Sequence, residues 1–224
     1  MLRADFENNL NLIQDEILEL SSMVEHSILK SIQSLKNRDV TSSQQVIDDD
    51  DLIDSKQAEI EEKCIQLIAL QSPVAGDLRI IVSVMMIAIE LERIGDYAEG
   101  IAKISVLMGD MPPLKPLIDI PRMAENATKM LRLSIDSFVK RDPHTALDVC
   151  DLDDEIDDTY NQVYRELLTY MMADPATIQR ATYLLWVAHD LERSADRATN
   201  IAERVLFLVT GSSRRDDFRE SLKS

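Results

Sequence analysis

Cysteine, glycine, proline and aromatic residues are all scarce in this 224-residue chain. The two cysteines, Cys64 and Cys150, stand far apart and have no partners at metal-ligand spacing, which excludes a disulfide framework. They read as buried helix residues of a reducing compartment. Five glycines, seven prolines and 4% aromatics are too few for the turns and strands of a sheet protein, and the composition suits long helices. Long apolar runs are missing as well. The most apolar stretch, residues 80–89, is about half of the ~20 residues a membrane helix needs. The start, Met-Leu-Arg-Ala-Asp-Phe-Glu, lacks the apolar segment of a secretory signal. The expected location is therefore the cytoplasm, with no direct membrane insertion. Positive charge is also short: 24 Lys and Arg against 41 Asp and Glu leave a net charge of −17. Such a surface repels nucleic-acid phosphates and anionic lipid heads. It attracts metal cations and basic protein patches.

What remains is abundant helical periodicity. Hydrophobic residues make up 45% of the chain, enough for a packed core. Leu10, Ile13, Ile17, Leu20, Val24 and Ile28 recur at helical spacing and predict a first helix over about 5–37. Asp39 is the expected N-cap of a second, running to about 71, where Ser72-Pro73 breaks the chain. A third is expected over about 76–108, then a linker over 109–116 and a fourth helix over about 117–140. Asp142-Pro143 and Asp174-Pro175 each pair a capping Asp with a first-turn Pro and open the fifth and sixth. The sixth ends near Thr210-Gly211. Ile80, Val84, Ile87, Leu91, Ile94, Ala98 and Ile101 step by four and three. So do Leu184, Ala188, Leu191, Ala195, Ala198, Ala202, Val205 and Val209. These stripes predict core faces of helices packed at shallow angles.

The chain repeats itself. Residues 90–102 match 190–202, and Arg38-Asp39 with Asp50-Asp-Leu-Ile-Asp54 match Arg141-Asp142 with Asp153-Asp-Glu-Ile-Asp157. The fold class is thus all-α: two tandem three-helix bundles made of six long helices. Residues 1–110 form the first repeat, 111–211 the second, and 212–224 a polar tail.

Four carboxylate pairs have i, i+4 spacing: Asp50/Asp54, Glu92/Asp96, Asp153/Asp157 and Glu192/Asp196. That spacing puts both members on one helix face, where like charges repel unless a cation sits between them. In an antiparallel hairpin, residues equidistant from the turn lie level. Asp54 and Glu92 are equidistant from Pro73, as are Asp50 and Asp96. Asp157 with Glu192, and Asp153 with Asp196, are equidistant from the Asp174-Pro175 break. Each repeat therefore brings four carboxylates to one level, and in the first Glu92, Asp96 and Glu99 each follow a core position by one residue and so sit at the core's rim. Lone pairs of this kind are commonly solvated, and Arg93 and Arg193 stand beside both motifs. Two levelled quartets nevertheless favour cation binding. All-oxygen ligation suits hard or borderline ions such as magnesium, calcium, manganese or non-haem iron. No Glu has a His three residues on, so a ferritin-like di-iron oxidase is disfavoured. A phosphate loop and a nucleophile elbow are also lacking. His26, His144 and His189 are not at ligand spacing.

Over roughly residues 4–211 the sequence resembles the PhoU family of phosphate-uptake regulators. The resemblance rests on Glu90-Leu-Glu-Arg-Ile-Gly-Asp-Tyr-Ala98 and Asp190-Leu-Glu-Arg-Ser-Ala-Asp-Arg-Ala198. Gln71-Ser-Pro-Val-Ala-Gly-Asp-Leu-Arg79 and Leu168-Thr-Tyr-Met-Met-Ala-Asp-Pro175 add to it. It implies paired three-helix bundles with surface Glu/Asp-x-x-x-Asp motifs that hold multinuclear metal clusters. Iron is the first expectation, with magnesium, manganese, zinc or calcium as alternatives. Glu92/Asp96 and Glu192/Asp196 are the matching motifs, and Asp50/Asp54 and Asp153/Asp157 their counterparts. It also implies a cytoplasmic, homodimeric, non-catalytic negative regulator. Its expected partners are the ATPase subunit of the phosphate ABC transporter and the phosphate-sensing histidine kinase. Gly100 departs from Asn200 at the matching position, and Ser194-Ala195 from the usual Ile-Gly. The alternative is a carboxylate-bridged metal enzyme on the same bundle.

Overall fold

The computed structural model describes residues 2–71 and 73–211. Ser72 and the expected polar tail lie outside them. The described residues fold into six α-helices: α1 Leu2–Asn37, α2 Val40–Gln71, α3 Ala75–Met108, α4 Asp119–Lys140, α5 Pro143–Ala173 and α6 Ile178–Thr210. No strand occurs among the described residues. Helices α1, α2 and α3 pack on one another, and so do α4, α5 and α6. The two triplets join through α3 against α6 and α1 against α4. A single hydrophobic core runs through both. No described helix is long and apolar enough to cross a membrane.

The helix ends follow from local chemistry, and the two triplets use the same devices. Arg38 and Arg141 take left-handed backbone, with φ of 56° and 52°. At the first, the Arg38 N–H donates to the Leu35 carbonyl and the Asp39 N–H to that of Ser34. At the second, Arg141 donates to Phe138 and Asp142 to Ser137. Each turn thus satisfies the last carbonyls of one helix and hands the chain to a capping Asp. Asp39 accepts from the Ser42 N–H at 3.0 Å and its hydroxyl at 2.6 Å. Asp142 accepts from the His144 N–H at 2.9 Å and the Thr145 hydroxyl at 2.7 Å. Asp174 caps as expected, accepting from the Ala176 N–H. However, the segment it opens, Pro175–Thr177, is a 3₁₀ turn. The Thr177 N–H reaches back only three residues, to the Asp174 carbonyl, and the α-helix starts at Ile178.

The apolar stripes are buried as expected, with one correction: Val209 is exposed, one residue before α6 ends. Ion pairs set the antiparallel register of α1 on α2: Lys30 with Asp49 at 3.2 Å, Lys56 with Glu19 at 2.6 Å, and Lys63 with Glu16. The Ser43 hydroxyl, buried between helices, meets those of Ser34 and Ser105 at 2.9 and 2.8 Å. The three small polar side chains let α1, α2 and α3 close together without an orphaned hydroxyl. Both cysteines are free and buried, and burial pushes the Cys64 thiol up to about 12.

A non-glycine residue in left-handed backbone costs about 1–2 kcal/mol, partly offset by glycine's larger loss of chain entropy. Arg141→Gly should therefore raise stability by about 0.5 kcal/mol, read as a higher urea midpoint. Arg141→Val should lower it.

Candidate metal centre

The α2–α3 hairpin brings its carboxylates together. Ligand oxygens of Asp50, Asp54 and Asp96 lie within 4.8 Å of one another. Asp54 and Asp96 are exposed, while Asp50 is 8% exposed and its Oδ1 has no hydrogen-bond partner. Burial, then Glu99, Asp54 and Asp96, raise the Asp50 carboxyl to about 7. Glu92 is half-buried at the cluster's edge. Burial, then Asp96 and Asp54, hold its acid above the ordinary range. Asp96 is raised by burial, Asp54 and Glu99. Glu99 stands outside the i, i+4 pairs, yet its charge acts on Asp50 more strongly than those of Asp54 and Asp96. Its only sequence signal is its place three residues beyond Asp96 on the same rim. Its carboxylate is paired with Lys103 at 2.5 Å.

Gly95 is what lets the helices come so near. A Cβ at this position would lie 3.0 and 3.2 Å from the side chain of Ile53 and 3.4 Å from Asp50 Oδ1. Ile53 is itself buried and has little room to yield. The glycine thus presses α3 onto α2 beside the buried carboxylate.

The second hairpin is a looser copy. Burial, then Asp196 and Asp157, raise the Glu192 acid, and Asp153 adds to this more weakly. Asp157 is raised by burial and then by Asp196. The four expected residues therefore share one neighbourhood. Their ligand atoms do not gather as tightly as those of Asp50, Asp54 and Asp96 among the described residues. Arg193 lies 3.6 Å from Asp196, and the His189 ring nitrogen Nδ1 stands 3.4 Å from Glu192 Oε2, which, like Asp50 Oδ1, is buried with no hydrogen-bond partner. Ala195 stands where the first hairpin has Gly95, and Asp153 is less buried than Asp50.

The seam between α3 and α6 also differs between its two matching ends. Glu90 receives Arg197 at 3.4 Å and the Asn200 amide at 3.2 Å. At the other end, Asp190 meets Gly100, where a Cβ would lie 3.1 Å from its carboxylate. Gly100 thus makes room for Asp190, while Asn200 donates to Glu90.

Two outcomes test this site. With its acid raised to about 7, Asp50 keeps its proton on folding where the unfolded chain has lost it. Without metal, stability should therefore fall as pH rises from about 4 to about 7, by about 4 kcal/mol at most from this group. Asp50→Asn should flatten that fall in chelator-treated protein, followed by thermal melts. Gly95→Ala should lower stability by about 1 kcal/mol, since crowding against Ile53 outweighs the gain in helix propensity. It should also weaken metal binding measured by titration.

Known proteins bear on these features. A model described as the PhoU domain matches the chain twice, over residues 17–105 and 120–205. The chain is 40% identical over 198 residues to a phosphate-specific transport system accessory protein PhoU homolog of Aquifex aeolicus, covering 88% of this chain and 90% of that one. It is also 40% identical over 197 residues to a homolog of the same description from Caulobacter vibrioides, covering 88% and 86%. The crystal structure of PhoU from Pseudomonas aeruginosa superposes with a TM-score of 0.88 at 33% identity, covering 92% of this chain and all of that one. The regulatory protein PhoU of the phosphate transport system from Streptococcus pneumoniae superposes at 0.87 with 29% identity, covering 93% and 99%.

Proposed function

The chain belongs to the PhoU family, whose role is regulation of phosphate uptake, and on that premise we propose that it is a metal-binding adaptor of this regulation. It links the ATPase subunit of a phosphate ABC transporter to the phosphate-sensing histidine kinase. It holds the starvation response off when phosphate is plentiful. It works in the cytoplasm, as a homodimer, and its role is regulatory rather than catalytic.

One observation carries the metal part of this reading: a buried Asp50 oxygen with no partner, beside Asp54 and Asp96. An unpaired buried carboxylate oxygen is costly unless a cation or proton meets it. The donor set is all oxygen, which suits a hard or borderline ion. Asp50, Asp54 and Asp96 would hold the first ion, with Glu92 and Glu99 at hand for a second, so a multinuclear iron cluster fits the set. Magnesium, manganese, zinc and calcium are the alternatives. In the other half Asp153, Asp157, Glu192 and Asp196 form the matching set. The cation would cancel the crowding of like charge and so couple occupancy to the shape of the α2–α3 hairpin. A ferritin-like enzyme would ask for a histidine ligand in the cluster, and the three grouped ligands are all aspartates.

The adaptor reading predicts that deleting the gene derepresses phosphate-scavenging genes in high phosphate. A tagged protein should retain the transporter ATPase and the kinase on affinity resin. Repression that survives deletion, with neither partner retained, contradicts the reading.

A further inference from the structure

A cavity of about 290 Å³ opens where the α1–α2 turn, the end of α3, the linker and α6 meet. Its walls are mainly apolar: Leu35, Met108, Leu114, Leu117 and Leu184. Three cations share the lining, Lys36, Arg38 and Lys115, and no carboxylate does. This is unexpected on a chain with net charge −17. Lys115 is buried and committed to Glu166, with Asp119 at 3.8 Å, so it fastens the linker to the second triplet. Lys36 and Arg38 are exposed and make no ion pair among the described residues. The neighbouring Asp39 carboxylate is occupied in capping Ser42. Lys36 stands in the last turn of α1, where the helix dipole favours a cation, but no side-chain donor is needed at the nearby carbonyls. The carbonyls of Ser34, Leu35 and Ser105 already accept from Asp39, Arg38 and Gly109.

We propose that this cavity binds a small free amphipathic oxyanion, with an apolar tail of about eight to ten carbons and a carboxylate or phosphate head. The volume is about twice that of a cavity known to hold benzene, and approaches the lower limit of ordinary ligand sites. An apolar lining with a few polar groups at one edge is the usual form of such sites. The guanidinium fork of Arg38 matches either head, and Lys36 adds a second charge. The ligand would bridge the α1–α2 turn and the linker, and so tie the first triplet to the connection between the halves. This site is separate from the carboxylates and does not rest on the metal reading.

The test is calorimetric titration of the full chain with decanoate and decyl phosphate below their micellar range, with decanol as the neutral control. One molecule per chain should bind, with the two oxyanions distinguishing the preferred head. Decanol should bind at least about tenfold more weakly, because it lacks charge-assisted hydrogen bonds. Lys36→Gln with Arg38→Asn should weaken oxyanion binding by a similar factor, and Asn suits the left-handed backbone at 38. Leu114→Trp should fill the cavity and abolish binding. If that chain fails to fold, Leu117→Phe serves the same purpose. Several conditions would overturn the proposal. Neither oxyanion binds, binding is unsaturable, or the double variant leaves affinity unchanged and only shifts the melt. Tighter binding by a peptide with an apolar C-terminal residue than by either amphiphile would assign the cavity to a protein partner and overturn it too.

Discussion

Like charges gathered around one buried carboxylate, Asp50, are the constraint on which the α2–α3 hairpin turns. Asp50 is buried by the same close approach that makes Ile53 a core residue, and Gly95 sets how close that approach is. Apolar contact along the hairpin therefore holds together carboxylates that would otherwise separate. Ile53, Ile60, Cys64 and Leu67 on α2, with the continuous stripe of α3, supply that contact. The repulsion is small against the whole core but local, so its relief by a cation or a proton acts on one hairpin. A regulator needs such an arrangement: a site whose occupancy changes a specific pair of helices rather than the entire fold.

The duplication gives the chain two versions of one design, and the structure shows how they have diverged. The α1–α2 and α4–α5 turns with their capping aspartates, and the core stripes, are kept nearly position for position, whereas α3 starts at an uncapped Val74 and α6 follows the Asp174 cap and a 3₁₀ turn. The charged positions are not kept so strictly. Arg193 lies 3.6 Å from Asp196 in the second carboxylate set, whereas in the first Lys103 pairs directly with Glu99 and, with Arg93, acts on the other carboxylates from farther away. Ala195 replaces the glycine that tightens the first hairpin. On the proposed metal reading, the tighter gathering of Asp50, Asp54 and Asp96 favours the first hairpin, while Arg193 offsets part of the charge of the second.

Much of this was legible in the sequence. Six helices, their capping aspartates and the level of the carboxylates follow from periodicity, from Asp-Pro pairs and from equal distances to a turn. Such local rules operate within one helix or one hairpin. Three features were not legible, and each depends on contacts between helices. Glu99 on α3 acts on Asp50 of α2 across the contact between the two helices. The importance of Gly95 appears only when Ile53 is found against it. The cavity at the linker forms from four separate segments, and no spacing rule connects Leu35 with Leu184. The 3₁₀ turn before α6 was missed for a smaller reason. Asp-Pro marks where a helical segment begins but does not say how tightly its first turn is wound.

The central claim is that the acidic face of the α2–α3 hairpin is a cation site rather than a solvated surface. Anomalous diffraction from crystals of protein loaded with iron or manganese locates an ion directly. The account predicts anomalous density within bonding distance of Asp50, Asp54 and Asp96, stronger than any at the second hairpin. Loaded crystals with no density at these three residues, or with ions only elsewhere on the acidic surface, would contradict it.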